Sequence, residues 1–105
     1  MQLGNYFTWV GNQYKISDGN KNYYLDMLLY NINYNCYVVV EIKCRSLKKE
    51  DKGQTEFYMT LVDKYKKRAN NNPTIGIIIT KEQDKFVANF VKSEKLVPLT
   101  YELVN

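Results

Sequence analysis

The stretch "CYVVVEIKC", residues 36–44, carries three consecutive valines and then a glutamate and a lysine one residue apart. A β-branched run of this kind belongs at the middle of a sheet, where both faces are covered. Side chains alternate along a strand, so Val39, Glu41 and Lys43 share one face while Val38, Val40 and Ile42 share the other. Two opposite charges therefore leave a core strand on the same side.

Upstream, "YYLDMLLYNI" (23–32) is a second strand, apolar on both faces except at Asp26, and "NYN" (33–35) reverses the chain. Symmetry about a turn near Asn33 and Tyr34 puts Asp26 opposite Glu41 or within one position of it. "YFTWVGNQYKIS" (6–17) reads as a strand or bent hairpin interrupted at Gly11 and Asn12, with "DGNKN" (18–22) as the following turn. Downstream, "RSLKKEDKG" (45–53) is a polar loop or the start of a helix. From about Gly53 to Arg68, the residues Phe57, Tyr58, Leu61, Val62 and Tyr65 recur at helical spacing, and "ANNNP" (69–73) stops the pattern. "TIGIIIT" (74–80) is a buried strand, "EQDKFVANFVKSE" (82–94) predicts a second amphipathic helix through Phe86, Val87, Phe90 and Val91, and "VPLTYELV" (97–104) predicts a closing strand. The order is three strands, helix, strand, helix, strand: an α/β (α+β) chain with a mixed sheet flanked by helices.

A length of 105 residues fits one domain over 1–105. No apolar stretch approaches the roughly 20 residues of a membrane span, and "MQLGNYFTWVGNQ" lacks the pattern of a signal peptide, so the expected compartment is the cytoplasm, with no membrane partner. Cys36 and Cys44 read as buried thiols in a reducing compartment. The chain has no histidine, which excludes histidine bases and histidine metal ligands and leaves hydrolytic chemistry to carboxylates, lysine or a bound metal. The net charge of +4 is compatible with a polyanionic partner but equally with solvated helix faces in "RSLKKEDKG" and "DKYKKR" (63–68). Trp9 and Tyr6 are expected to pack in the core or along a strand, the alternative being that they stack on bases.

Asp26 interrupts its strand in the middle, and a charge among apolar residues is costly unless it is paired or binds metal. One resolution is a site in which Asp26, Glu41 and the backbone carbonyl of Ile42 hold Mg²⁺ or Mn²⁺ together with water. Lys43 then orients the attacking water and offsets charge on a scissile phosphate. The alternative is a pair of solvated strand-end carboxylates with Lys43 paired to one of them. Gln54 and Tyr58, four apart, lie on one face of the helix that follows.

Asp26 followed by Glu41-Ile42-Lys43 resembles the catalytic motif of the PD-(D/E)XK nuclease superfamily, and Gln54-xxx-Tyr58 resembles the accessory motif of its RecB-like members. More narrowly, the chain is similar to the C-terminal nuclease domain of YhcG-like proteins through "LGNYFTWVGNQYKI", "YYLDMLLYN", "CYVVVEIK", "GQTEFYMTLVD", "NPTIGIIIT" and "LTYEL". The resemblance implies a restriction-endonuclease-like fold and an endonuclease that hydrolyses DNA phosphodiester bonds with Mg²⁺ or Mn²⁺, leaving a 5′-phosphate and a 3′-hydroxyl. Asp26 and Glu41 are then metal ligands, Lys43 stands beside the nucleophilic water, Gln54 supports that water or the phosphate, and Tyr58 braces the site or touches nucleic acid. Arg45, Lys48, Lys49 and Lys52 are expected phosphate contacts near the active face.

Two positions depart from the pattern. Leu25 stands in place of the superfamily's proline, and Gln2-Leu3-Gly4 in place of a helix ending in Glu-Leu-Gly. The competing expectation is a catalytically impaired module that binds nucleic acid or oligomerises on the same fold. RNA is a further candidate partner, as are a second copy of the chain and a separate N-terminal domain of a longer parent protein.

Overall fold

A computed structural model describes residues 6–92. Its elements are β1 (Phe7–Ser17), β2 (Asn22–Asn31), β3 (Cys36–Ile42), α1 (Lys49–Tyr65), β4 (Ile75–Glu82) and β5 (Lys85–Val91). They form a five-stranded sheet of order β1-β2-β3-β4-β5. Local turn chemistry sets the first two hairpins. Asp18 Oδ1 accepts from the N–H groups of Asn20 (2.9 Å) and Lys21 (2.8 Å), and Gly19 takes φ 96°, so β1 and β2 are joined tightly with Ser17 opposite Asn22. Between β2 and β3, Asn31 Oδ1 accepts from the Tyr34 N–H at 2.9 Å, and Asn35 sits in the left-handed region at φ 50°. The α1 crossover then returns the chain so that β4 runs parallel to β3, which makes the sheet mixed.

Alternation along the strands divides the apolar residues between the two faces of the sheet. Leu28, Val39 and Ile78 pack with Met59, Leu61 and Val62 of α1, while Leu29, Val38, Val40, Ile75 and Ile77 form a second cluster. Burying each such side chain is worth about 1.5–3 kcal/mol, so α1 is held chiefly by its contacts with β3 and β4. Gly76 lets it come close. A Cβ there would stand 2.6 Å from Thr55 Cγ2 and 2.9 Å from Met59 Sδ.

Several expectations are corrected. Residues 82–91 form no second helix: β5 pairs antiparallel with β4 through a two-residue turn, Glu82 facing Lys85, with Gln83 at φ 56°. Phe86, Ala88 and Phe90 alternate with Val87, Asn89 and Val91, and the ladder satisfies a β4 edge that a helix would leave unpaired. Among the described residues α1 is thus the sheet's single helical neighbour, and it starts at Lys49 rather than near Gly53. The predicted closing strand at 97–104 lies outside the described residues, as does Gln2. Trp9 and Tyr6 are exposed rather than packed, and of the two free cysteines only Cys36 is buried, because Cys44 lies beyond the end of β3.

Replacing Gly76 by alanine is expected to push α1 off β4 and lower stability by about 1–3 kcal/mol. Urea denaturation followed by circular dichroism checks this, with loss of the packed helix expected at a lower midpoint.

Candidate active site

The β2–β3 ladder runs from Asn31↔Cys36 to Met27↔Val40, and the next pair in that register is Asp26 and Glu41. There the side chains take over from the backbone. The Asp26 N–H donates to Glu41 Oε2 at 2.9 Å, and the Ile42 N–H donates to Asp26 Oδ2 at 2.8 Å. Each carboxylate thus ties off the opposite strand where the two strands part. Glu41 is 3% exposed although it carries an acid, whereas Asp26 is half-buried. Burial pushes the Glu41 carboxyl up to about 7, with a further push from the Asp26 carboxylate; the Asp26 N–H and the Lys43 ammonium pull in the other direction.

Lys43 follows β3, and its N–H donates to Ile79 O at 2.7 Å, which extends the parallel pairing past the last strand residue. Its ammonium donates to Gln54 Oε1 at 3.4 Å, and Gln54 Nε2 donates to the Tyr58 hydroxyl oxygen at 3.3 Å. The helical spacing of Gln54 and Tyr58 therefore becomes a line of polar groups starting at Lys43. Burial raises the Tyr58 pKa, helped by the nearby Glu41 and Asp26 carboxylates, so Tyr58 stays a phenol. Since its oxygen accepts from Gln54, its own O–H remains available as a donor.

What aims this helix is Asp51. It is 3% exposed, accepts two bonds of 2.8 Å from the Arg45 guanidinium, and accepts a third of 2.8 Å from the Lys48 N–H at the N-cap. The Arg45 pair and the capping N–H hold its carboxyl well below the usual carboxylate range. Arg45 O also accepts from the Lys81 N–H at 3.0 Å, while Glu82 accepts from Ser46 Oγ (2.9 Å) and from the Leu47 N–H (3.2 Å). The loop from β3 to α1 is thereby fastened to the end of β4. Arg45, expected at a phosphate, has its guanidinium engaged inside the fold; Lys48, Lys49 and Lys52 are exposed around the first turn of α1.

Residues 1–102 match the family of the YhcG PDDEXK nuclease domain. The chain belongs to this family. It is 23% identical over 90 residues to the Escherichia coli (strain K12) protein "Putative nuclease YhcG", a span of 86% of this chain and 24% of that relative. The chain thus covers about a quarter of the length of the curated relative it matches. No solved structure matches it. The mixed five-stranded sheet with its helix is the restriction-endonuclease-like α/β arrangement of a PDDEXK domain.

PDDEXK nucleases typically depend on a divalent metal, and the donor set of this PDDEXK domain can be tested against one. Among the described residues no group of three or more His, Cys, Asp and Glu side chains stands together. The set is two carboxylates, each with one oxygen tied to a backbone N–H and the other without a donor among the described residues. Hard oxygen donors in small number, and a buried acid whose ionised form is only partly offset by the Asp26 N–H and Lys43, suit a hard divalent cation, so the residues fit one. No helix among the described residues is long and apolar enough to cross a membrane.

Beside Asp26 the surface opens into a depression of ≈ 460 Å³ lined by Asn12, Gln13, Asp26, Met27 and Ile42. No motif in the sequence marks Asn12 or Gln13 as a site residue. Counting outward from the Asp18–Lys21 turn, in the register that pairs Ser17 with Asn22, would have placed Gln13 opposite Asp26.

Two outcomes test this arrangement of carboxylates. Because the Glu41 pKa is raised from 4.5 to about 7 in the fold, its contribution to stability is complete below about pH 4.5 and is lost as the pH rises through 7. In the absence of divalent ions, Glu41→Gln should therefore melt above the unmodified protein at pH 8, by up to roughly 3 kcal/mol of stability, and the gap should close at pH 5. Asp51→Ala should destabilise at both pH values by about 1–3 kcal/mol, because it strips the N-cap and leaves Arg45 without its partner; thermal melts at the two pH values measure both.

Proposed function

We propose that this domain is a divalent-metal-dependent endonuclease that hydrolyses DNA phosphodiester bonds in the cytoplasm. The observation that carries the reading is the meeting, at one end of the sheet, of the Asp26–Glu41 pair with the Lys43–Gln54–Tyr58 line. Asp26, Glu41 and the Ile42 carbonyl would hold Mg²⁺ or Mn²⁺, and such an ion supplies charge to offset the phosphate and to acidify water.

The chain's own groups do the rest. Lys43 lies on the Glu41 face, and Gln54 accepts from its ammonium, so the remaining donors can orient the water and meet a non-bridging phosphate oxygen. Gln54 is in turn aligned by Tyr58, whose O–H serves as a neutral donor to the phosphate. Attack by water forms one P–O bond and breaks the bond to the 3′ oxygen, which leaves as the hydroxyl. Lys48, Lys49 and Lys52 sit at the positive end of the α1 dipole, where cations are unfavourable alone and a phosphate strand would compensate them. Arg45 acts through Asp51, by aiming the helix.

The test is cleavage of labelled plasmid, linear duplex and branched DNA, with an RNA duplex in parallel, in Mg²⁺ or Mn²⁺ and in EDTA. The unmodified chain should cut DNA only with metal, and Glu41→Ala and Lys43→Ala should each lose on the order of 10²-fold or more. Mn²⁺ should also raise the melting temperature of the unmodified chain at pH 8 but not that of Glu41→Ala. Binding of DNA without cleavage, indifferent to metal and to both substitutions, would point instead to a non-catalytic binding module. Preferential cleavage of RNA would change the substrate.

A further inference from the structure

Gln13 is the least comfortable residue of β1. The ladder with β2 passes from Asn12↔Met27 to Tyr14↔Leu25 without pairing Gln13, although that register sets it opposite Asp26. Its backbone lies in the left-handed region at φ 45°, where a side chain with a Cβ is disfavoured and glycine is not. Strain of this kind persists where the surroundings hold it, and such positions cluster at functional sites.

The side chain gives the strain a direction. Gln13 is exposed, makes no hydrogen bond among the described residues, and lines the ≈ 460 Å³ depression that Asp26 also lines. Its neighbour Asn12 is differently placed, because Asn12 Oδ1 accepts from the Trp9 indole N–H at 2.9 Å. The amide whose donors and acceptor are both uncommitted is that of Gln13. Lys43, Gln54 and Tyr58 form the α1 side of the carboxylate pair, whereas Gln13 comes from β1, on the other side of β2.

We infer that Gln13 is a substrate-positioning residue whose side-chain amide donates to a phosphate of the nucleic-acid backbone next to the scissile one. A neutral donor suits that place, since a cation there would pair with Asp26 and a bare carboxylate wall would repel the strand. The inference rests on the nuclease reading above. It adds a grip on the β1 side of the site, so the strand is held from both flanks of Asp26. A contact of this type fixes register and carries no sequence information.

The test is Gln13→Gly, with Gln13→Asn beside it, in the full chain. Three readouts are taken: melting temperature, binding of two labelled duplexes of unrelated sequence in EDTA, and steady-state cleavage in Mn²⁺. Glycine accepts the left-handed backbone, so the melting temperature should hold or rise while Kd and KM rise about tenfold on both duplexes and kcat stays within about threefold. Gln13→Asn, which keeps a shorter amide and tolerates this backbone, should fall between. A lower melting temperature with a matching loss of binding would make the residue structural and overturn the inference. So would unchanged Kd and KM, or a loss confined to one of the two sequences. If the unmodified chain cuts DNA and the glycine variant equals it, this inference alone fails; if the unmodified chain neither binds nor cuts, the nuclease reading fails and takes the inference with it.

Discussion

The site depends on the reciprocal clasp at the end of the β2–β3 ladder, where Asp26 and Glu41 each accept the N–H of the other strand. Two strands that separate leave backbone donors without partners, and here carboxylates supply the missing acceptors. The clasp fixes both acids to a rigid sheet rather than to loops, and it does so with one oxygen of each. Among the described residues the other oxygen of each has no donor. That division of labour is what allows a buried acid to be held in place without being neutralised by its own support.

The second half of the site is delivered from a distance. Gln54 and Tyr58 ride on α1, and α1 is placed by two unrelated constraints: the missing side chain of Gly76 beneath Thr55 and Met59, and the Arg45–Asp51 pair at its first turn. One sets how closely the helix approaches the sheet; the other sets where it begins. The bonds from Lys43, Arg45 and Glu82 between the connecting loop and β4 join these constraints, so Lys43 and Gln54 meet because the loop cannot drift.

Three costs meet around the candidate site. Glu41 is buried near a second carboxylate, Gln13 carries an unfavourable backbone of the order of 1–2 kcal/mol, and exposed lysines stand at the positive end of a helix. In the middle of the sheet Val38, Val39, Ile77 and Ile78 are almost wholly buried, while Asn35 and Gln83 at two other turns share the left-handed backbone and, among the described residues, the buried Thr74 Oγ1 has no hydrogen-bond partner.

The sequence by itself determined the central strand, the placement of Asp26 opposite Glu41 or within one position of it, and the shared helix face of Gln54 and Tyr58. Each follows from short-range rules: alternation along a strand, symmetry about a tight turn, and the helical repeat. Membership of a nuclease family was legible from the same residues. Tertiary structure decided the rest. Phe86, Val87, Phe90 and Val91 satisfy a helical spacing and a strand that is apolar on both faces equally well, and the unpaired edge of β4 chose the strand. Arg45 read as a free cation until the fold brought buried Asp51 under it, and Trp9 and Tyr6 read as core until the sheet left them outside. Periodicity is a property of neighbours in the chain, whereas burial, ion pairing and edge satisfaction depend on residues that only folding brings together.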